Sequence, residues 1–220
     1  MPILPDFAVT DTLYNSRYLI ETGVIFMPEI GKNLVRCDWA NRSSLEQSYH
    51  DNEWGRPVHD DAKLFEMLIL EGKQAGLSWS TILAKRETLR KAFDNFDPAI
   101  LVTYSQEKID ALMSDQGIIR NRAKINAVVA NARAYFALTA QYGTLNEFLW
   151  RYVDYQPIIN CWSEISQVPA KTALSDQISK DLKKIGFKFV GSTTIYAFMQ
   201  SIGMVNDHLT ACFLYSGSRQ

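Results

Sequence analysis

Residues 63–79, KLFEMLILEGKQAGLSW, put a carboxylate where the surrounding pattern calls for a hydrocarbon. At helical period Leu64, Met67 and Leu68 form one apolar stripe, and the next position on that stripe is Glu71. Isolating an ionised carboxylate from water costs several kcal/mol, so such a group must be paired, protonated or reserved for a cation. The stretch breaks at Gly72 and Gly76, and Trp79 follows close to the acid. An acid and an indole bordering one cavity suit a flat cationic guest, because a ring face contributes up to about 2 kcal/mol to a desolvated cation. The same residues also fit a glutamate that caps a neighbouring helix or pairs with an arginine.

A second set of side chains has metal-ligand spacing. His208 and Cys212 are four apart, one helical turn, while Cys37 and His50 stand far upstream. Two of the three histidines and two of the three cysteines thus form a possible Cys2His2 set, the kind that structural zinc takes in closed tetrahedral sites. With four protein ligands the ion has no open position for chemistry. It would act as a staple between the start and the end of a domain.

The elements that must position these groups read as helices joined by short turns from Cys37 onward, which predicts an all-α fold. Asp97-Pro98 marks a helix start, and Ser105 caps a segment expected to run to Gly117. Residues 122–140 carry Ile125, Val128, Val129, Ala132 and Phe136 on one face, a long amphipathic helix. Thr144 and Glu147 form a capping box for a helix holding Phe148 and Tyr152. Residues 155–172 are less regular, and Cys161 among them reads as ordinary packing. Ser175 opens a helix with Ile178, Leu182 and Ile185, closed by Gly186. A short turn containing Gly191 then leads into a helix with Ile195, Phe198, Met199 and Ile202 buried. The free amides at its start, around Gly191, Ser192 and Thr193, suit a phosphate oxygen, although a plain turn between packed helices has the same pattern.

With 220 residues, 47% hydrophobic, and no run long enough to span a bilayer, the chain reads as a soluble globular protein of one domain or two small lobes. A formal net charge of -1 does not mark a nucleic-acid binder, so any basic surface must be local. Candidates are Arg120-Arg122-Lys124 and Lys183-Lys184-Lys188; Lys85-Arg86 reads as a solvated helix face. Three cysteines without a cleavable signal pattern argue for a reducing compartment and against a disulfide framework. Residues 1–36 are poorly patterned. Tyr18-Leu19-Ile20 and Val24-Ile25-Phe26 would make at most a short packed element, and Met27 is a candidate start of translation.

CDW at Cys37, YHDNEWG at Tyr49, LFEM and LEGKQAGLSW ending at Trp79, GIIRNRAKI at Gly117, NARAY at Asn131, LKKIGFKFVG at Leu182 and VNDH at Val205 closely resemble bacterial 3-methyladenine DNA glycosylase I. The resemblance covers residues 37–213, which it identifies as a glycosylase domain. It leaves 1–36 as an extension of unknown role and 214–220 as a tail. It implies a helix-hairpin-helix enzyme of base excision repair that removes 3-methyladenine from double-stranded alkylated DNA. A structural zinc ion on Cys37, His50, His208 and Cys212 is implied as well. The family's base pocket falls on Glu71, Tyr49 and Trp79, with Trp39 and Trp54 as further wall. The loop Gln74, Gly76 and Leu77 resembles the part that enters the duplex, and Lys188, Gly191, Ser192 and Thr193 the part that holds its backbone. No membrane partner, a monomer and a cytoplasmic location are expected.

Where many relatives in the wider superfamily have a catalytic aspartate this chain has Asn206, and where strand-cutting members carry a lysine it has Ser192-Thr193-Thr194. The expectation is therefore a monofunctional glycosylase without lyase activity. Asp207 is read as the cap of a helix presenting His208 and Cys212. Two rival classes are a non-catalytic zinc-stapled DNA-binding module, which has no use for Glu71 in an aromatic box, and a zinc hydrolase, which needs an open metal position.

Overall fold

The computed structural model describes residues 34–217. Most of the expected extension, with Tyr18, Val24 and Met27, lies outside the described residues. The chain is mostly helical, and its architecture is set by one helix that solvent barely reaches.

That helix is α2, Asp61–Gln74, in which Leu64, Phe65 and every residue from Met67 to Lys73 are buried. A single apolar stripe was expected; a helix enclosed nearly all round is what a central element needs. Asp60 caps it, its carboxylate accepting from Lys63 N at 2.8 Å. Gly72 does not interrupt it. Around it pack α3 (Trp79–Ala92), α6 (Arg122–Tyr142), α7 (Leu145–Trp150) and α9 (Ser192–Ser201). Asp61 adds a tie at its start, its carboxylate accepting from Leu145 N, Asn146 N and the Tyr135 hydroxyl at 2.8 to 3.1 Å.

Before α2 comes α1, Ser44–Asn52, whose first turn is capped by the Ser43 hydroxyl. The short α4, Pro98–Leu101, starts at Asp97 with proline in the first turn, as expected. Ser105 caps α5, Gln106–Ser114, which ends three residues before Gly117 because the Asp115 carboxylate turns the chain by accepting from Gly117 N at 2.7 Å. The α6 face is buried at Ile125, Val128, Val129 and Ala132, but Phe136 is 42% exposed. Thr144 and Glu147 form the expected capping box on α7. In α8, Ala173–Ile185, the cap is Thr172, and Ser175 is its partner three residues on; Gly186 ends the helix in the left-handed region at φ +116°. The less regular stretch contributes Ile158–Ile159 (β1), which pairs in parallel with Val205–Asn206 (β2), Ile158 opposite Val205.

Three polar assignments differ from expectation. Arg86 is not on a solvated face: it is buried, with Glu53 and Glu66 both within 3.2 Å of its guanidinium. Lys124 is buried as well and bonds to backbone carbonyls. Cys161 is exposed rather than packed. Among the described residues no helix is long and apolar enough to cross a membrane.

Candidate active site and metal cluster

Tyr49 and His50 are neighbours on α1, so their side chains leave the helix about 100° apart. They face two different sites. Tyr49 borders a cavity of about 690 Å³, whose walls include Trp39, Trp54, Glu71, Gln74, Trp79, Thr193, Tyr196, Gln200 and Asp207. His50 points to the two cysteines and His208. Trp39 and Trp54 stand between the sites: Trp39 has its ring centroid 6.3 Å from Tyr49 and 5.4 Å from His50, and Trp54 lies 4.7 Å from His208.

Glu71 reaches the cavity from the last full turn of α2 and is only 4% exposed. Among the described residues it neither caps a helix nor pairs with an arginine, and its Oε2 has no hydrogen-bond partner. Burial lifts its carboxyl to about 8, with the Ser201 hydroxyl acting against the shift. The indole N–H of Trp79, at the first position of α3, is likewise buried without a partner. An acceptor and a donor therefore line one aromatic cavity with their hydrogen-bonding capacity unspent, a state that a folded interior normally avoids. The Tyr49 phenol is pushed well above its ordinary range by burial and by the nearby Glu71 charge, so it remains a neutral donor.

The turn after α2 is tight and projects outward. Leu77 N donates to Gln74 O at 2.6 Å, and Gly76 adopts φ +77° with nothing within 4 Å of the place a Cβ would occupy. Leu77 is 38% exposed. Of the three residues expected here, Gln74 lines the cavity while Gly76 and Leu77 stand on the outer turn.

Cys37, His50, His208 and Cys212 are all buried, with their ligand atoms within 4.8 Å of one another. Cys37 Sγ to His208 Nδ1 is 3.8 Å, Cys212 Sγ to His208 Nδ1 is 3.6 Å, and Cys212 Sγ to His50 Nε2 is 3.5 Å. Tetrahedral zinc with its usual ligand bond lengths sets sulfur and nitrogen about 3.6 Å apart. Both imidazoles are oriented from behind, His50 Nδ1 by Asp51 at 2.8 Å and His208 Nε2 by the Trp54 carbonyl at 3.3 Å. Asp51 is itself held by the Arg36 guanidinium. Gly55 allows this closeness, since a Cβ there would lie 2.9 Å from His208 Nε2. The Cys212 thiol is held far below its usual range, first by its hydrogen bond with Cys37, which pushes Cys37 up. One thiolate is thus already favoured in a cluster that could hold a metal ion.

The expected helix at His208 is absent. His208 lies in irregular chain after β2, and Cys212 closes the turn that follows, its N donating to Leu209 O at 2.7 Å. Asp207 therefore caps no helix. It is 2% exposed and its carboxylate accepts from Asn160, Trp162, Tyr196 and Gln200, all at 2.7 to 2.8 Å. Sequence reasoning missed this role, and it missed Tyr196, which is one place off the apolar stripe read for α9.

Residues 187–190 join α8 to α9. The Asn131 amide brackets Lys188, accepting from its N at 2.7 Å and donating to its O at 3.1 Å, and the Ser179 hydroxyl donates to Val190 O. Gly191 is the N-cap of α9 with no side chain capping it, which leaves the first amides of Ser192 and Thr193 free of such a partner. Thr193 borders the main cavity; Lys188 is exposed beside Phe189 on a separate groove against α6.

Comparison with known proteins finds relatives over most of the chain. The chain is 47% identical over 186 residues to DNA-3-methyladenine glycosylase 1 of Escherichia coli strain K12, covering 84% of this chain and all of that protein. It is 49% identical to DNA-3-methyladenine glycosylase of Haemophilus influenzae over 81% of this chain and 96% of that one. A crystal structure of 3-methyladenine DNA glycosylase I superposes with a TM-score of 0.80 at 48% identity, over 82% of this chain and all of the other. The Staphylococcus aureus enzyme, described in a study of 3-methyladenine recognition, also gives 0.80 at 35% identity, over 84% of this chain and 98% of its own. The family model for methyladenine glycosylases matches residues 39–215, and the chain belongs to that family.

Proposed function

We propose that the protein is a monofunctional DNA glycosylase that removes 3-methyladenine from alkylated duplex DNA in base excision repair. The observation that carries this reading is the unpartnered Glu71 oxygen, buried in a cavity of aromatic rings. A binding module without catalysis gains nothing from a carboxylate kept at such cost.

A base inside a duplex is out of reach of hydrolysis at its sugar bond until it is extruded, at a few kcal/mol of lost stacking. The outer turn of Gly76 and Leu77, with Gln74 beside it, fills the gap in the stack. The free amides at Gly191, Ser192 and Thr193, with Lys188, hold the backbone in a helix-hairpin-helix manner and read no sequence. Methylation at N3 makes the attached base a cation. Glu71 then ionises, accepts hydrogen bonds from the base and favours its charge, while Tyr49 and Trp79 pack on it with Trp39 and Trp54 behind. As the bond to the sugar breaks, its electron pair stays on the departing nitrogen and neutralises the base. Water adds to the oxocarbenium carbon and loses a proton, leaving an abasic site. Neutral adenine draws far less from the same pocket.

No lysine borders the cavity among the described residues, which supports a reading without Schiff-base chemistry. Borohydride should trap no covalent adduct with DNA. Cys37, His50, His208 and Cys212 would hold one structural zinc ion, which supplies folding energy and no chemistry. Residues 37–213 form the catalytic domain of a monomer, flanked by 1–36 and 214–220. The test is to incubate the protein with methylated duplex DNA and identify the free base by chromatography. Release of 3-methyladenine is expected, and its absence rejects the reading.

A further inference from the structure

The turn proposed to enter DNA is rooted more firmly than a surface loop needs to be. Ala75 at φ -43°, ψ 114° and Gly76 at φ +77°, closed by the bond from Leu77 N to Gln74 O, make a type II turn. Behind it stands Lys124, in the first turn of α6 and only 6% exposed. Its ammonium donates to Lys73 O at 2.7 Å and to Ala75 O at 2.6 Å. One bond satisfies the last turn of α2 at the negative end of its dipole; the other holds the turn's own second residue. The Lys73 side chain at the same root is buried across Phe93, with Nζ 3.9 Å from the ring centre.

We infer that Lys124 is a positioning residue for the DNA wedge, holding the Gln74–Leu77 turn in the shape that fills the stack, so that action on a paired lesion depends on it more than action on an unpaired one. This rests on the proposed role of Gly76 and Leu77. Charged hydrogen bonds of this length are the stronger kind, and an insert already rigid loses less freedom on entering DNA. Glu71, three residues before Gln74, touches the base but does not open the duplex. A lesion that is already unpaired bypasses the wedge.

The experiment compares single-turnover excision of 3-methyladenine from a fully paired duplex and from a strand with the lesion in an unpaired bulge. Lys124→Met, checked by thermal melting, should lower the paired-to-unpaired rate ratio about tenfold or more, since two charge-assisted bonds are lost. Leu77→Gly is the comparison and should lower the same ratio. Equal slowing of both substrates, or of neither, by Lys124→Met while Leu77→Gly lowers the ratio overturns the role of Lys124 alone. No effect of Leu77→Gly on the ratio overturns the wedge and this inference with it. If Lys124→Met does not fold, Lys124→Gln carries the same test with the same expected direction.

Discussion

The rings of Tyr49 and Trp79 lie 5.2 Å apart at 53° to each other, so two π faces meet at an angle beside one buried carboxylate. Trp79 comes from the first turn of α3 and Tyr49 from the end of α1. A cation seated there gains from ring and carboxylate together. Trp79→Ala should slow single-turnover excision of 3-methyladenine from methylated duplex DNA about tenfold, since the base is a cation only while attached to its sugar, with little change in melting temperature because the side chain is only half-buried.

Glu71 makes stability depend on pH. Its folded carboxyl titrates at about 8 because burial opposes ionisation, whereas in the unfolded chain it titrates near the ordinary glutamate value of 4.5. Between these values the unfolded state has lost the proton that the folded state keeps, so stability falls as pH rises and levels off above about 8. Glu71→Gln removes that slope. In thermal melts the variant should match the parent near pH 4.5 and exceed it at pH 8. The ionised form is the one that binds a cation, so kcat/KM of the parent should rise with pH towards about 8.

The cluster of Cys37, His50, His208 and Cys212 ties the start of the described domain to its end. Elemental analysis should find one zinc per chain. Cys212→Ser, or removal of the metal by chelation, should lower the melting temperature on the order of 10 °C or more, given the energy that structural zinc contributes. A metal-free protein with unchanged melting would exclude the staple.

Asp207 has every oxygen lone pair directed at a donor. Asp207→Asn turns an amide N–H₂ towards either the Tyr196 and Gln200 donors or those of Asn160 and Trp162. The cost should be about 3 kcal/mol of unfolding free energy, measured by urea denaturation, as for other broken buried networks.

How much of this was legible before the structure follows from the range of each interaction. Glu71 was visible because helical period is local: Leu64, Met67, Leu68 and Glu71 share a face whatever surrounds them. Thr144 with Glu147, and Asp97 with Pro98, were visible for the same reason. The four metal-cluster residues were visible by type and not by local geometry, since His208 and Cys212 meet on irregular chain and a turn instead of on the expected helix. Lys124 and Arg86 were misread as surface charges because their partners, the carbonyl of Ala75 and the carboxylates of Glu53 and Glu66, are 20 to 49 residues away. Asp207 was hidden likewise, its donors being spread over α9 and the stretch between β1 and α8.

The central claim is that the buried carboxylate of Glu71 is what acts on a charged base. It is tested most directly by single-turnover excision of 3-methyladenine from methylated duplex DNA, parent against Glu71→Gln, with folding checked by melting. The variant should be slower by about 100-fold or more while remaining at least as stable. A folded Glu71→Gln protein that releases the base at the parent rate would contradict the account.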